Sequence, residues 1–305
     1  MESSRTIWAG LGMIAALALL PLVTARSDIL TWLCLTFQYI LLSQSWNIMG
    51  GYAGQINLGH AAFFGLGALT TRYLWLAQVP LPAALLAGAC MATAFALLIG
   101  IPAFRLRGIY FVISTLVLAE ILKVVVDTRL PVASVLPTPA LITYSIVPRY
   151  YLSLIGAVLG MATVFAVTHS KLGLGLMAIR EDEDAAGTSG VSILKYKLLA
   201  LSISTFLAGV AGGIFAFYMV AIQPGYVFGA GWTFDPLIIV FIGGIGTLIG
   251  PVIGSVFFVL LKQWMSLHLP GGFHLAVFGV LFIIVVLYLP DGLVQGIRRP
   301  KLGRT

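Results

Sequence analysis

Apolar residues fill ten runs along this chain, at roughly 7–23, 29–50, 58–78, 83–104, 109–126, 150–168, 198–220, 234–249, 251–267 and 275–289. Within each run the apolar side chains neither alternate, as a barrel strand requires, nor keep to one face. A bilayer span needs about 20 apolar residues, and lipid offers the backbone no hydrogen-bond partner, so each run predicts a helix. The expected fold class is all-α, a polytopic transmembrane helical bundle of about 10 spans in a single domain, 1–305. In the first run Val23-Thr24-Ala25 resembles a signal-peptide cleavage site. The run is longer than a signal core of 7–15 residues and only Arg5 precedes it, so a retained helix is expected.

Two polar stretches separate the runs. Pro131, Pro137, Pro139 and Pro148 crowd 127–149, which predicts an extended outer cover rather than a span. The stretch 169–197 is the only long connection expected on the inner side.

Composition agrees with the pattern. AVILMFWYC make up 60% of the 305 residues and charged residues 9%, against about 25% charged in soluble domains. Mean hydropathy is +1.06. These values exclude an ordinary cytosolic enzyme, a disordered chain and a secreted disulfide scaffold. Cys34 and Cys90 sit inside apolar runs and read as packing residues. The net charge of +7 forms no soluble patch, so it signals no nucleic acid. It signals orientation. With both termini inside, the inner connections carry Arg5, Arg105, Arg107, Lys171, Arg180, Lys195, Lys197, Arg298, Arg299, Lys301 and Arg304. The outer ones carry only Arg26, Arg129 and Arg149, while Arg72, Lys123 and Lys262 fall within runs. Both termini are therefore expected in the cytoplasm, and two helices rather than one are expected in 234–267.

Candidate chemistry lies in four places. The inner stretch carries Arg180, Glu181, Asp182, Glu183 and Asp184, then Ala185, Ala186, Gly187 and Gly190. Four consecutive carboxylates require water, and they favour a helix N-terminus. Gly187 and Gly190 are expected to stop that helix, with Leu174, Met177 and Ala178 at helical spacing before it. This element is either a solvated connection or a docking surface for a soluble partner. The second place is Gly50–His60, where four glycines precede or flank Gln55, Asn57 and His60. Those side chains either line a cavity beside a broken helix or cap helix ends. The third, Gly243 to Gly254, echoes that glycine spacing and hints at an internal repeat, although packing turns are common in bundles. Upstream, Asp235-Pro236 reads as an N-cap with proline at the first helical position. The fourth is Glu120 with Lys123, either an intramembrane functional carboxylate or an inert pair. No phosphate-binding G-x-x-x-x-G-K-[ST], no H-E-x-x-H and no catalytic grouping of histidines occurs, so no enzyme, metal or cofactor is expected.

Four segments resemble the branched-chain amino acid importer permeases, LivM-type subunit. They are Gly51-Tyr-Ala-Gly-Gln-Ile-Asn-Leu-Gly-His-Ala-Ala-Phe-Phe-Gly-Leu-Gly-Ala68, Arg105-Leu-Arg-Gly-Ile-Tyr-Phe-Val-Ile-Ser-Thr-Leu-Val-Leu-Ala-Glu120, Met177-Ala-Ile-Arg-Glu-Asp-Glu-Asp-Ala-Ala186 and Phe241-Ile-Gly-Gly-Ile-Gly-Thr-Leu-Ile-Gly-Pro-Val-Ile-Gly254. They occur in the family's order. The resemblance implies a bacterial inner-membrane subunit of an ABC importer for branched-chain amino acids. Its partners would be a LivH-type permease, two cytoplasmic ATPases and a periplasmic binding protein. Residues 169–197 would be the coupling loop, with Arg180 to Ala186 and Gly190 meeting an ATPase. Asp184-Ala185-Ala186 with Gly190 departs from the importers' E-A-A-x-x-x-G by Asp for Glu, and the downstream I-x-L-P is missing at Ala200 to Ile203. Gln55, Asn57, His60 and Glu120 are candidates for the translocation path. A stand-alone secondary transporter or channel would use the same glycine breaks and Glu120 but needs no docking loop. Related permeases also handle urea, other amides and aromatic acids.

Overall fold

The computed structural model describes residues 2–24, 26–130, 134–142 and 144–268, and beyond those only positions 277, 279–280, 283 and 292–293. The expected span at 275–289 lies outside the described residues apart from those few positions, as do Ala25, Pro131, Arg298, Arg299, Lys301 and Arg304.

The described chain is a bundle of helices: α1 (Glu2–Val23), α2 (Ser27–Asn47), α3 (His60–Leu76), α4 (Leu81–Ala103), α5 (Ile109–Arg129), α6 (Thr138–Ile142), α7 (Ile146–Thr168), α8 (Lys171–Glu181), α9 (Glu183–Thr188), α10 (Ile193–Tyr218), α11 (Pro224–Val227), α12 (Gly231–Gly243) and α13 (Gly250–His268). Six stretches among the described residues are long and apolar enough to cross a membrane: α4, α5, α7, α10, Pro224–Gly243 and α13. The stretch 234–267 does hold two helices. Alone, α12 would reach only about 20 Å at 1.5 Å per residue, so α11 extends it.

The most polar long helix is the central one. From Thr36 to Asn47 every residue of α2 is buried, because α7, α10, α12 and α13 surround it. Protein replaces lipid on all sides, and amide N–H groups there find carbonyl partners, while Ser43 Oγ and Gln44 Oε1 have none among the described residues. Gln38 Nε2 donates to the Ala211 carbonyl at 2.5 Å and Gln44 Nε2 to Leu248 at 2.7 Å. By contrast, α1 lies at the edge, where the Tyr150 and Tyr151 hydroxyls of α7 donate to its Leu17 and Ala18 carbonyls.

Small residues let α3, α4 and α10 approach backbone to backbone. A Cβ on Gly212 would strike the Phe64 carbonyl, one on Gly67 would strike Gly209, and one on Gly88 would come within 2.7 Å of the Gly67 carbonyl.

Loops gather at two ends. At one, the α2–α3, α4–α5, α7–α10 and α12–α13 connections meet, bringing Arg105, Arg107, Arg180 and Lys197 together; this is the basic end. At the opposite end a two-residue strand β1 (Ser134–Val135) pairs antiparallel with β2 (Ala221–Ile222), matching Ser134 to Ile222. The 127–149 stretch is thus a mixture: the last turn of α5, β1, α6 and the first turn of α7. Pro148 is accommodated in that first turn, where a missing N–H breaks no helical bond. Arg149 is correspondingly a buried residue of α7, not part of an open connection. It donates to the Phe217 and Ser145 carbonyls.

Two local expectations are corrected. Asp235 does not cap a helix; it lies inside α12, which begins four residues earlier at Gly231, with Pro236 still in its second turn. Gly187 does not end a helix either, since it lies within α9. The stop is Gly190 alone, at φ +88°. Its N–H bonds the Gly187 carbonyl and the Val191 N–H bonds Ala186, the two reversed bonds of a left-handed helix terminus.

Candidate functional site

The basic end carries the candidate coupling element, the α8–α9 pair. Ser170 caps α8 and Asp182 caps α9, its Oδ1 accepting from the Asp184 and Ala185 N–H groups at 3.0 Å. The carboxylates therefore have different tasks. Glu183 pairs with buried Lys197 of α10 at 2.6 Å, which ties α9 to the bundle. Asp184 meets Arg107 at 3.3 Å on an exposed surface, where such a pair contributes about 0–1 kcal/mol. Glu181 makes no polar contact among the described residues. It continues an exposed stripe of Leu174, Met177 and Ala178 along α8, while Leu176, Ile179 and Ala186 face inward and are buried. A mixed apolar and acidic ridge thus faces away from the bundle, on a base fixed by two caps and an ion pair.

Directly above this element the two glycine stretches meet. After Asn47, α2 widens into a π-helical turn, Ile48–Tyr52, and the α12–α13 turn lies against it. The Asn47 side chain joins them: its Oδ1 accepts from the Gly246 N–H and its Nδ2 donates to the Thr247 carbonyl, both at 2.9 Å. Arg180 reaches up from α8, its Nη1 donating to the Gly51 carbonyl at 2.6 Å. The similar spacing of the two stretches thus corresponds to two reversals at one end of the bundle, each between an arriving and a departing helix.

The candidate path residues are spread out. Asn57 is buried and closes its own turn, Oδ1 accepting from the Gly59 N–H at 2.8 Å, while its carbonyl accepts from Trp46 Nε1. His60 opens α3 and is fully buried, with Nε2 2.7 Å from Ser45 Oγ. The Asn57 Nδ2 and His60 Nδ1 atoms have no partner among the described residues. Gln55 is partly exposed at the basic end. Glu120 lies far from these, on the outward face of α5, 3.7 Å from Lys123. Among the described residues no cluster of His, Cys, Asp or Glu could hold a metal.

Sequence reading missed one polar centre entirely. Lys262 of α13 donates to Asp235 of α12 at 2.7 Å and to the Tyr39 hydroxyl of α2 at 2.9 Å; Tyr39 in turn donates to Asp235 at 2.8 Å. The usable signal was charge within a run, because an unpaired ion at membrane depth is costly and demands a partner. Asp235→Asn leaves the ammonium facing a neutral amide, and is expected to destabilise the detergent-solubilised protein by about 2–3 kcal/mol. Lys262→Met in addition should recover most of that loss. Equal thermal stability of Asp235→Asn and wild type would assign the triad no structural weight.

A family model described as branched-chain amino acid transport system / permease component matches residues 28–286. The high-affinity branched-chain amino acid transport system permease protein LivM of Escherichia coli K12 is 28% identical, over 92% of this chain and 73% of its own length. The probable branched-chain amino acid transport permease protein LivM of Methanocaldococcus jannaschii is 26% identical, over 88% of this chain and 92% of its own. The ribose import permease protein RbsC of Escherichia coli K12 matches only 42% of the chain, at 26% identity. No solved structure matches.

Proposed function

Since the chain belongs to the permease component family of branched-chain amino acid transport systems, we propose that its α8–α9 ridge docks a cytoplasmic ATPase and that its bundle forms half of a substrate path. It is a multi-pass permease of the bacterial inner membrane and a subunit of an ABC importer. The substrate proposed is a branched-chain amino acid, after the relatives' names. The ten apolar runs support about ten spans and the basic connections support cytoplasmic termini, an arrangement that would put the α8–α9 ridge in the cytoplasm. The single domain 1–305 then presents 127–149 to the periplasm, toward a binding protein, and 169–197 to the motor. A LivH-type permease would supply the other half of the path, two ATPases the energy, and no cofactor is needed in this chain.

The observation that carries this reading is the α8–α9 ridge, which is held rigidly from within and exposes Leu174, Met177, Ala178 and Glu181 outward. A loop that merely joined two spans would need neither caps nor a buried ion pair. ATP closure of a motor dimer would displace the ridge, and the bundle would change state because the motor binds its two conformations unequally. Gln55, Asn57, His60 and Glu120 stand as the proposed polar groups of the path.

The test must spare the helix cap. Glu181→Ala combined with Asp182→Asn removes two charges but keeps a side-chain oxygen at the cap position. Co-purifying ATPase is expected to fall about tenfold, equivalent to 1.4 kcal/mol, with the membrane fold intact. Undiminished co-purification and uptake would sink the docking assignment. Uptake by the purified chain alone would favour a stand-alone transporter.

A further inference from the structure

The two glycine turns and the coupling element share one side chain. Arg180 stands in the last turn of α8, immediately before the acidic stretch, yet its guanidinium points back toward the bundle. Nη1 donates to the Gly51 carbonyl at 2.6 Å, at the negative end of the π-helical turn that finishes α2. The cradle around it can be built only from glycine. A Cβ on Gly246 would lie 2.6 Å from the same Nη1, and one on Gly54 would lie 3.0 Å from Arg180 Cγ and 3.3 Å from its Cα. Gly54 and Gly246 hold φ of +67° and +70°, values that L side chains adopt at a cost. The turns also touch each other, since a Cβ on Gly51 would come within 2.8 Å of the Gly246 nitrogen. Asn47 joins the same backbone from the bundle side.

We infer that Arg180 is a positioning residue that latches the α2–α3 and α12–α13 turns to the coupling helix, so that displacement of α8 is transmitted to both reversals at once. The latch rests on the proposed docking of α8–α9 to a motor, and adds to it the route by which force enters the bundle. Three features select arginine. The stem must pass Gly54, the planar head must fit between two backbones, and a fixed N–H must meet the Gly51 carbonyl. Lysine keeps the charge but lacks the flat fork. Two other cations of this end are engaged elsewhere: Lys197 holds Glu183 and Arg107 faces Asp184. Among the described residues Arg180 makes the hydrogen bond from α8 to these turns, while Asn47 joins the turns to each other, so losing it uncouples the joined pair from the coupling helix and leaves the ridge of Leu174, Met177, Ala178 and Glu181 intact.

Two measurements on Arg180→Met test this. In the reconstituted importer, with the partner permease, ATPases and binding protein, solute taken up per ATP hydrolysed should fall at least tenfold in complexes that retain the ATPases. Arg180→Lys should lie between Arg180→Met and wild type. In the purified chain alone, amide hydrogen exchange should rise at least tenfold in both 50–54 and 244–249, with α4 unchanged. Wild-type uptake per ATP in Arg180→Met, or unchanged exchange at either turn, overturns the latch. Loss of ATPase co-purification overturns it also, because Arg180 would then belong to the docking surface. If Arg180→Met does not reach the membrane, Arg180→Lys carries both readouts, and wild-type values there overturn the proposal. Failure of the wild-type complex to couple ATP to uptake, with exchange behaving as stated, would refute the importer reading and leave the latch standing.

Discussion

Arg72→Met is expected to destabilise the bundle by about 3–5 kcal/mol, comparable to removing one partner of a buried charge pair. Arg72 is fully buried in α3, yet no carboxylate among the described residues pairs with it. Its partners are the backbone groups that a helix cannot satisfy at its own C-terminus. Nη1 donates to the Ala216 and Met219 carbonyls at 3.2 Å, and Nη2 to Val220 at 2.7 Å. The other contacts reach Ser134, with Nη2 on its carbonyl at 3.0 Å and Nε on its hydroxyl at 3.2 Å. One cation thus ends α10, meets the negative pole of its dipole and secures the strand that follows α5. Methionine fills part of the volume and removes the Arg72 donors from these carbonyls; Val220 keeps the Leu136 N–H, while the more buried Ala216 carbonyl loses its side-chain donor, at about 1–3 kcal/mol for a buried group left unsatisfied. Thermal unfolding in detergent measures the effect, and proteolysis at 130–145 reports whether β1 detaches. Stability within 1 kcal/mol of wild type would mean that the β1–β2 pair and the Tyr144–Tyr218 bond hold this end unaided.

A comparable effect is expected from Gly212→Leu. The first added carbon already collides with the Phe64 carbonyl and lies 2.8 Å from the Ala68 nitrogen. These are backbone atoms of α3, so the neighbour cannot yield by changing rotamer. Overpacking of a tight core costs about 1–3 kcal/mol, and here the helix axes themselves must separate, so no folded monomer should be recovered by size exclusion. Gly231→Leu is the control, since nothing lies within 4 Å of a Cβ there. A folded Gly212→Leu protein of wild-type stability would show that α3 and α10 do not depend on this approach.

How far the sequence disclosed these features depends on the kind of interaction. Runs such as 83–104 and 109–126 became α4 and α5 with little change, because hydropathy over a span is a local quantity. The acidic stretch was legible as an aqueous helix start, since Asp182 can cap without help from distant residues. Long-range partners were not legible. Asp235 looked like a cap because it precedes proline, and only α13 reveals that it faces Lys262. Gly187 and Gly190 looked alike, but a stop requires a positive φ, which no composition displays. The two glycine stretches could be matched by spacing, yet their contact through Asn47 and Arg180 is a property of four separate segments. Arg72 was visible only as a misplaced charge; its task is set by where α10 happens to end.

The polar character of α2 has a bearing on how the protein is made. Gln38, Gln44 and Asn47 donate from their amide nitrogens to carbonyls 173, 204 and 200 residues later in the chain. A nascent α2 leaving the ribosome has none of those acceptors. Its amides must be sheltered, by the insertion machinery or by water, while most of the remaining polypeptide is translated. The hub is thus among the first segments translated, and its polar contacts close only once the chain has been made as far as Leu248.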